Sequence, residues 1–202
     1  PRVFSSAASD VYKRQIVGVT LYLLFAGPNY CPEIDNMNES NPITEFSVQV
    51  VGDSLFGADA DGCASVSTFM SLILWLQVED NSVPGATVIG DESIPEQYVS
   101  GDWNWTVIDG GANDIMPHCT ENDCDEVLDE IITDSGEGLI PDLIEKAQND
   151  GSNVILIGYY SVPKGSEYEP VILEVEIIND RYNEFAKANE GVYFISLKDV
   201  MS

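Results

Sequence analysis

Two short polar clusters carry the chemistry this sequence can offer. The first is Gly52-Asp53-Ser54, where the apolar run Val48-Gln49-Val50-Val51 stops and a hydroxyl follows at once. A buried strand that breaks at glycine presents its next side chains at its carboxyl end, the edge where open α/β sheets bind ligands, so Ser54 is a candidate nucleophile. The second is Gly110-Gly111-Ala112-Asn113-Asp114, which follows another strand-like run, Trp105-Thr106-Val107-Ile108-Asp109. It brings a side-chain amide, Asn113, to a second strand end. A hydroxyl attacks a carbonyl efficiently only when the charge developing on the carbonyl oxygen meets preorganised donors, and a carboxamide beside a backbone N–H supplies them. Taken singly, each cluster also reads as an ordinary turn. Asp53 and Asp114 suit groups that shape their turns by hydrogen bonding better than they suit bases.

The elements that must position these residues follow from periodicity. Val66, Phe69, Met70, Ile73, Leu74 and Leu76 recur at helical spacing after the first strand,. Residues 94–98 suit one helical turn, and Gly85 falls in a turn or strand end at residues 81–88. A cysteine loop is expected beyond Asp114. Val127, Leu128, Ile131 and Ile132 then mark a helix ended by the break at residues 135–138. Leu139, Ile140, Leu143, Ile144 and Ala147 mark the next, with Pro141 tolerated in its first turn and Gly151 placed to stop it,. Val154-Ile155-Leu156-Ile157-Gly158 reads as a buried strand, and Val171, Val175, Ile178, Tyr182 and Phe185 as a long amphipathic helix closed near Gly191,. Val192-Tyr193-Phe194-Ile195 is a last strand. Strands alternating with helices predict an α/β fold of three αβα layers, a flavodoxin-like parallel sheet of about five strands with helices on both faces.

Together the two clusters resemble the signature blocks of the SGNH (GDSL-type) hydrolases. Gly-Asp-Ser with an apolar residue matches residues 52–55, Gly-x-Asn-Asp matches residues 111–114, and the likeness runs from about Phe46 onward. It implies a serine ester hydrolase acting on a small-molecule ester. Ser54 would attack the ester carbonyl, and the oxyanion would be held by the backbone N–H of Ser54, that of Gly85 and the amide of Asn113, with Gly52, Asp53, Gly111 and Asp114 in support. Gly85 reads equally as a plain turn glycine. The family's Asp-x-x-His block, which supplies the base, has no counterpart before Met201-Ser202. The chain is therefore expected to be a carboxyl-terminally truncated fragment, nearly inactive by itself, of a parent that hydrolyses esters. A second reading stays open: a non-catalytic module on the same scaffold, in which Ser54 and Asn113 line a pocket for a glycan or another small ligand. A flavin-binding domain would need a phosphate-cradling loop after its first strand, which the sequence lacks. No cofactor is expected.

The sole histidine, His118, lies four residues past Asp114 and reads as a surface or loop residue. With Cys119 and Cys124 it makes a poor metal site, because structural zinc wants four ligands at recognisable spacing. The four cysteines allow three disulfide pairings, of which Cys119 with Cys124 is favoured, leaving Cys31 with Cys63,.

Composition narrows the partners. Eight Lys and Arg stand against 35 Asp and Glu in 202 residues, a formal charge of -27, which repels phosphates and argues against a nucleic-acid partner,. No apolar run reaches the roughly 18 residues of a membrane span. Residues 1–15 resemble the translation of a sequencing adapter and are excluded from fold reasoning; without Arg2, Asp10, Lys13 and Arg14 the balance is 5 basic against 34 acidic, a formal -29. Residues 16–27 begin with IVGVTLYLLFA and read as the remnant of a signal peptide,. With the cysteines, this points to a secreted or periplasmic protein, residues 16–26 having a buried strand or helix as their alternative. Residues 28–45 read as an exposed arm, and residues 46–202 as the hydrolase-like domain, incomplete at its carboxyl end. Nothing in the sequence fixes the oligomeric state.

Overall fold

The computed structural model describes residues 47–56, 66–67, 70–71, 77–119, 124–166 and 168–198. The expectations for residues 1–46, for Cys31, Cys63, Phe69, Ile73, Leu74 and Leu76, and for Met201-Ser202 lie outside the described residues.

Five strands, β1 (Ser47–Val51), β2 (Gln77–Asp80), β3 (Trp105–Ile108), β4 (Asn153–Gly158) and β5 (Val192–Ser196), form one sheet in the order β2-β1-β3-β4-β5. All four pairings are parallel. The strands are connected through α1 (Ile94–Gln97), α2 (Ala112–His118), α3 (Cys124–Ile131), α4 (Leu139–Asn149) and α5 (Ile172–Ala188), the last preceded by a 3₁₀ turn, Glu169–Val171.

Alternation along the strands divides the core in two. Val51, Ile108, Val154, Leu156 and Val192 face a large cluster built with Ile115, Ile131, Ile144, Ile178 and Tyr182 from the helices. Val48, Val50, Val107 and Ile157 face the other side, where Phe56 and the helical residue Met70 pack. Fully burying each such side chain contributes about 1.5–3 kcal/mol, so both layers hold the sheet.

Among the described residues, the predicted helices and strands form where the periodicity places them, with two differences. β2, Gln-Val-Glu-Asp, is a strand that hydrophobic patterning cannot find, because it is the exposed edge of the sheet and its charges discourage pairing with another chain,. The stretch after Asp114 is not loop but helix: α2 runs to His118 with Pro117 inside it. Six residues into a seven-residue helix, a proline forfeits only one backbone hydrogen bond, and the turn survives. Cys119 closes it, with its N–H on Ile115 O at 2.8 Å, and is disulfide-bonded to Cys124, the first residue of α3. Both sulfurs are thus used, and the favoured pairing is the one present.

Candidate active site

The turn after β1 is fixed from several sides. The Gly52 N–H donates to Gln97 Oε1 at 2.7 Å, and Gln97 Nε2 donates back to Gly52 O at 3.1 Å. Beneath Gly52 lies the carboxyl of Asp109, so close that a Cβ on residue 52 would sit 1.6 Å from Asp109 Oδ1. That same oxygen accepts the Asp53 N–H at 2.8 Å. Asp53 Oδ1 accepts the Leu55 N–H at 2.9 Å, an aspartate turn of the expected kind,. Ser54 emerges from this turn exposed.

At the end of β3, Gly110 and Gly111 take φ of 154° and 111°, and each is crowded besides. A Cβ would meet Ile94 Cδ1 at 2.6 Å at the first and Ile178 Cδ1 at 2.9 Å at the second. Only glycine allows the chain to turn here against the packed core. α2 then begins and presents Asn113. Its Nδ2 donates to Ala86 O at 2.9 Å and to Asp53 Oδ2 at 3.4 Å, while Tyr168 OH donates to its Oδ1 at 3.4 Å. Asp114 reaches beyond its own turn. Its two oxygens accept the N–H groups of Val88 and Ile89 at 2.8 and 2.9 Å, fastening the loop after β2 to α2.

Sequence reasoning missed Tyr159, just past the end of β4. Its hydroxyl donates to Asp53 Oδ2 at 2.8 Å and accepts the Ala112 N–H at 3.1 Å. Its backbone is gripped by Asn179 of α5, whose Oδ1 accepts the Tyr159 N–H at 2.8 Å and whose Nδ2 donates to Tyr159 O at 3.2 Å. Tyr159 thereby ties β4 to the Ser54 turn and to the start of α2. Its position could have signalled it, since Gly158-Tyr159 ends a buried strand as Gly52-Asp53 does.

Three carboxyls meet in this dry region. Burial, reinforced by the Asp53 charge, pushes Asp109 well above the usual carboxylate range, and its Oδ2 is buried without a hydrogen-bond partner. Burial also raises Asp114, partly opposed by the N–H groups of Val88 and Ile89. The Tyr159 hydroxyl is raised by burial and by the Asp53 and Asp109 carboxyls, so it stays a neutral donor,.

Ser54 and Asn113 line one cavity of about 930 Å³, with Asp53, Leu55, Tyr159 and Tyr168 among the other lining residues. Gly85 does not line it. It borders a separate depression of about 560 Å³ with Val83 and Pro84, although the carbonyl of its neighbour Ala86 binds Asn113. Gly85 has φ 83° and open space where a Cβ would sit, the environment of a turn glycine. His118 is exposed at the end of α2 and does not line the cavity. Among the described residues no group of His, Cys, Asp and Glu is arranged to hold a metal ion.

No protein-family profile matches the chain, and no curated protein matches it in sequence. Solved structures do match in shape. A protein of Desulfitobacterium hafniense DCB-2, assigned as a lipolytic protein of the G-D-S-L family, superposes with TM-score 0.56 at 15% identity, over 75% of this chain and 77% of that one. An acetylxylan esterase of Geobacillus stearothermophilus gives 0.56 at 16% over 77% and 78%. A Streptococcus protein assigned as a platelet activating factor gives 0.53 at 14% over 94% and 83%. The five-stranded parallel sheet, with Gly-Asp-Ser after β1 and Gly-Ala-Asn-Asp after β3, is thus the fold of GDSL-type lipolytic proteins and acetylxylan esterases.

Proposed function

We propose that this chain carries the acyl-transfer half of a serine ester hydrolase. The observation behind this reading is that exposed Ser54, at the end of β1, shares a cavity with Asn113, 59 positions further along the sequence. Ser54 Oγ attacks the ester carbonyl, its proton passes to a base, and the negative charge gathers on the former carbonyl oxygen. The Ser54 N–H and the Asn113 carboxamide stabilise that oxygen. Both amide hydrogens of Asn113 already have acceptors, but the contact with Asp53 Oδ2, at 3.4 Å, is the long one and the one exchanged for the oxyanion. Gly85 enters only through its neighbour Ala86 and is the weakest member of the set.

Asp53 is committed to Leu55, Tyr159 and Asn113 and is not free to act as base. The sole histidine is His118, outside the cavity. Loss of the histidine from a serine hydrolase costs on the order of 10⁶ in turnover, so this chain by itself turns over slowly. The Cys119–Cys124 disulfide supports an oxidising, extracellular or periplasmic setting,.

Imidazole supplied in solution tests the assignment. Hydrolysis of p-nitrophenyl acetate, and attachment of a fluorophosphonate to Ser54 seen by mass spectrometry, should both rise with imidazole above the rate with Ser54→Ala, while His118→Gln should change neither. A rescued rate that is the same in Ser54→Ala overturns the hydrolase reading. The second reading, a non-catalytic small-ligand or glycan module, is favoured by one feature: the amide hydrogens of Asn113 are satisfied within the protein.

A further inference from the structure

The cavity is much larger than the reacting groups need. At about 930 Å³ it lies at the upper end of the roughly 300–1,000 Å³ typical of pockets that enclose a drug-sized ligand, so an acetyl group would leave most of it unfilled,. Its polar members at the reacting end, Asp53, Ser54 and Asn113, come from where β1 and β3 end, and Tyr159, Tyr160, Ser166 and Tyr168 come from the segment after β4. Much of the remaining wall is hydrocarbon, with Leu55 and Phe56 beyond Ser54, Ile157 at the end of β4, Val162 after it, Val175 from α5 and Leu197 after β5, while Tyr160, Ser166 and Tyr168 add hydroxyls to it, that of Ser166 buried without a partner. The sheet order puts three strand spacings between β1 and β5, about 14 Å at ~4.8 Å each, so the apolar wall leads away from Ser54 along the sheet's carboxyl edge,. We propose that this cavity binds the hydrocarbon acyl chain of an uncharged ester, a chain well beyond two carbons, in preference to an acetylated sugar.

The inference rests on the ester hydrolase reading above and adds the substrate class. Two physical arguments carry it. A sugar buries hydroxyls and ring oxygens that all need partners, and away from the ends of β1 and β3 the hydroxyls of Tyr160, Ser166 and Tyr168, set among six apolar side chains, are too few for a full set,. A hydrocarbon needs no partners and gains from each methylene it removes from water. The formal charge of -27, with Asp53 in the cavity wall, disfavours anionic lipids and assists departure of the carboxylate product,.

The test uses the intact chain and measures binding, so it does not depend on turnover. Methyl ketones from 2-butanone to 2-decanone mimic the ester carbonyl without a bond to hydrolyse, and their affinities are read by calorimetry or by competition with an apolar dye. Affinity should rise about fourfold per methylene until the cavity is filled. Val162→Trp, on a half-buried residue of the wall, should weaken 2-decanone more than tenfold and leave 2-butanone unchanged. Should that variant fold poorly, Leu55→Trp provides the same obstruction from the opposite wall. Affinity independent of chain length, or peracetylated xylobiose binding more tightly than 2-decanone, overturns the assignment. Flat chain-length dependence with Ser54-dependent, imidazole-rescued hydrolysis intact overturns the acyl cavity and leaves the hydrolase. A steep dependence without that hydrolysis overturns the hydrolase and leaves a hydrocarbon site.

Discussion

Where β1 and β3 end, all four side-chain oxygens of Asp53 and Asp114 accept hydrogen bonds, and Tyr159, Gln97 and Asn113 join loops far apart in sequence. Beyond Tyr159, toward the end of β5, the cavity is bounded largely by Ile157, Val162 and Leu197, whose side chains make no directional contacts, with Tyr160 and Ser166 beside them. The first region holds its geometry through partners that must all be present, since a buried donor or acceptor left alone loses its hydration without replacement. The second tolerates change at Val162 and Leu197, because half-buried apolar side chains facing a void have less packing to lose than Ile157, which belongs to the core. Accuracy is concentrated where a reaction would occur, and latitude where a chain of variable length would lie.

Mutations can break or sharpen this contrast. Asp53→Ala should have the largest effect, because the Tyr159 hydroxyl and the Leu55 N–H both lose their acceptor. A loss of about 2–5 kcal/mol in chemical denaturation is expected, and a loss under 1 kcal/mol would mean that the polar region is no tighter than the apolar one. Tyr159→Phe keeps the ring and removes one hydroxyl, for about 1–3 kcal/mol, and should shift the Asn113 side-chain amide resonance in an ¹⁵N–¹H spectrum,.

The third prediction concerns pH. Asp109 keeps its proton in the folded chain to a higher pH than in the unfolded chain, where it titrates near 3.9,. Between those values the folded state binds more protons, so stability falls as pH rises above about 4 and levels off once Asp109 has ionised in both states. Asp109→Asn should remove that part of the slope in unfolding free energy measured against pH, leaving the contribution of the same sign from Asp114. Val162→Ala should have the smallest effect, under about 1 kcal/mol. A larger loss would show that this wall is packed as firmly as the core.

Much of the polar region was legible because its residues are adjacent in sequence. Gly52-Asp53-Ser54 and Gly111-Ala112-Asn113-Asp114 each follow a run of buried side chains, and a strand's end fixes where the next side chains go. Strands β3, β4 and β5 and helices α3 to α5 were legible for the same reason: their apolar spacing is strong and local. β2 was not, because an exposed edge strand has no apolar face to display. Tyr159 and Asp109 were missed as partners of Asp53 because their roles depend on sheet order, which puts β1 beside β3 and β3 beside β4. The apolar wall was invisible for a related reason. Leu55, Val162, Val175 and Leu197 come from four segments, and their types alone do not separate a lining from a core.

The space beneath the glycine of Gly-Asp-Ser is already occupied, since the Asp109 carboxyl fills the volume a side chain would claim. Residues 52 and 109 therefore act as one unit of design despite the distance between them in sequence. A methyl group installed at residue 52 would evict the acid and strip the Asp53 N–H of its acceptor, whereas shortening residue 109 at the same time would make room. Anyone grafting this nucleophile turn onto another α/β scaffold would have to transplant Asp109, the residue that follows the neighbouring strand, with it.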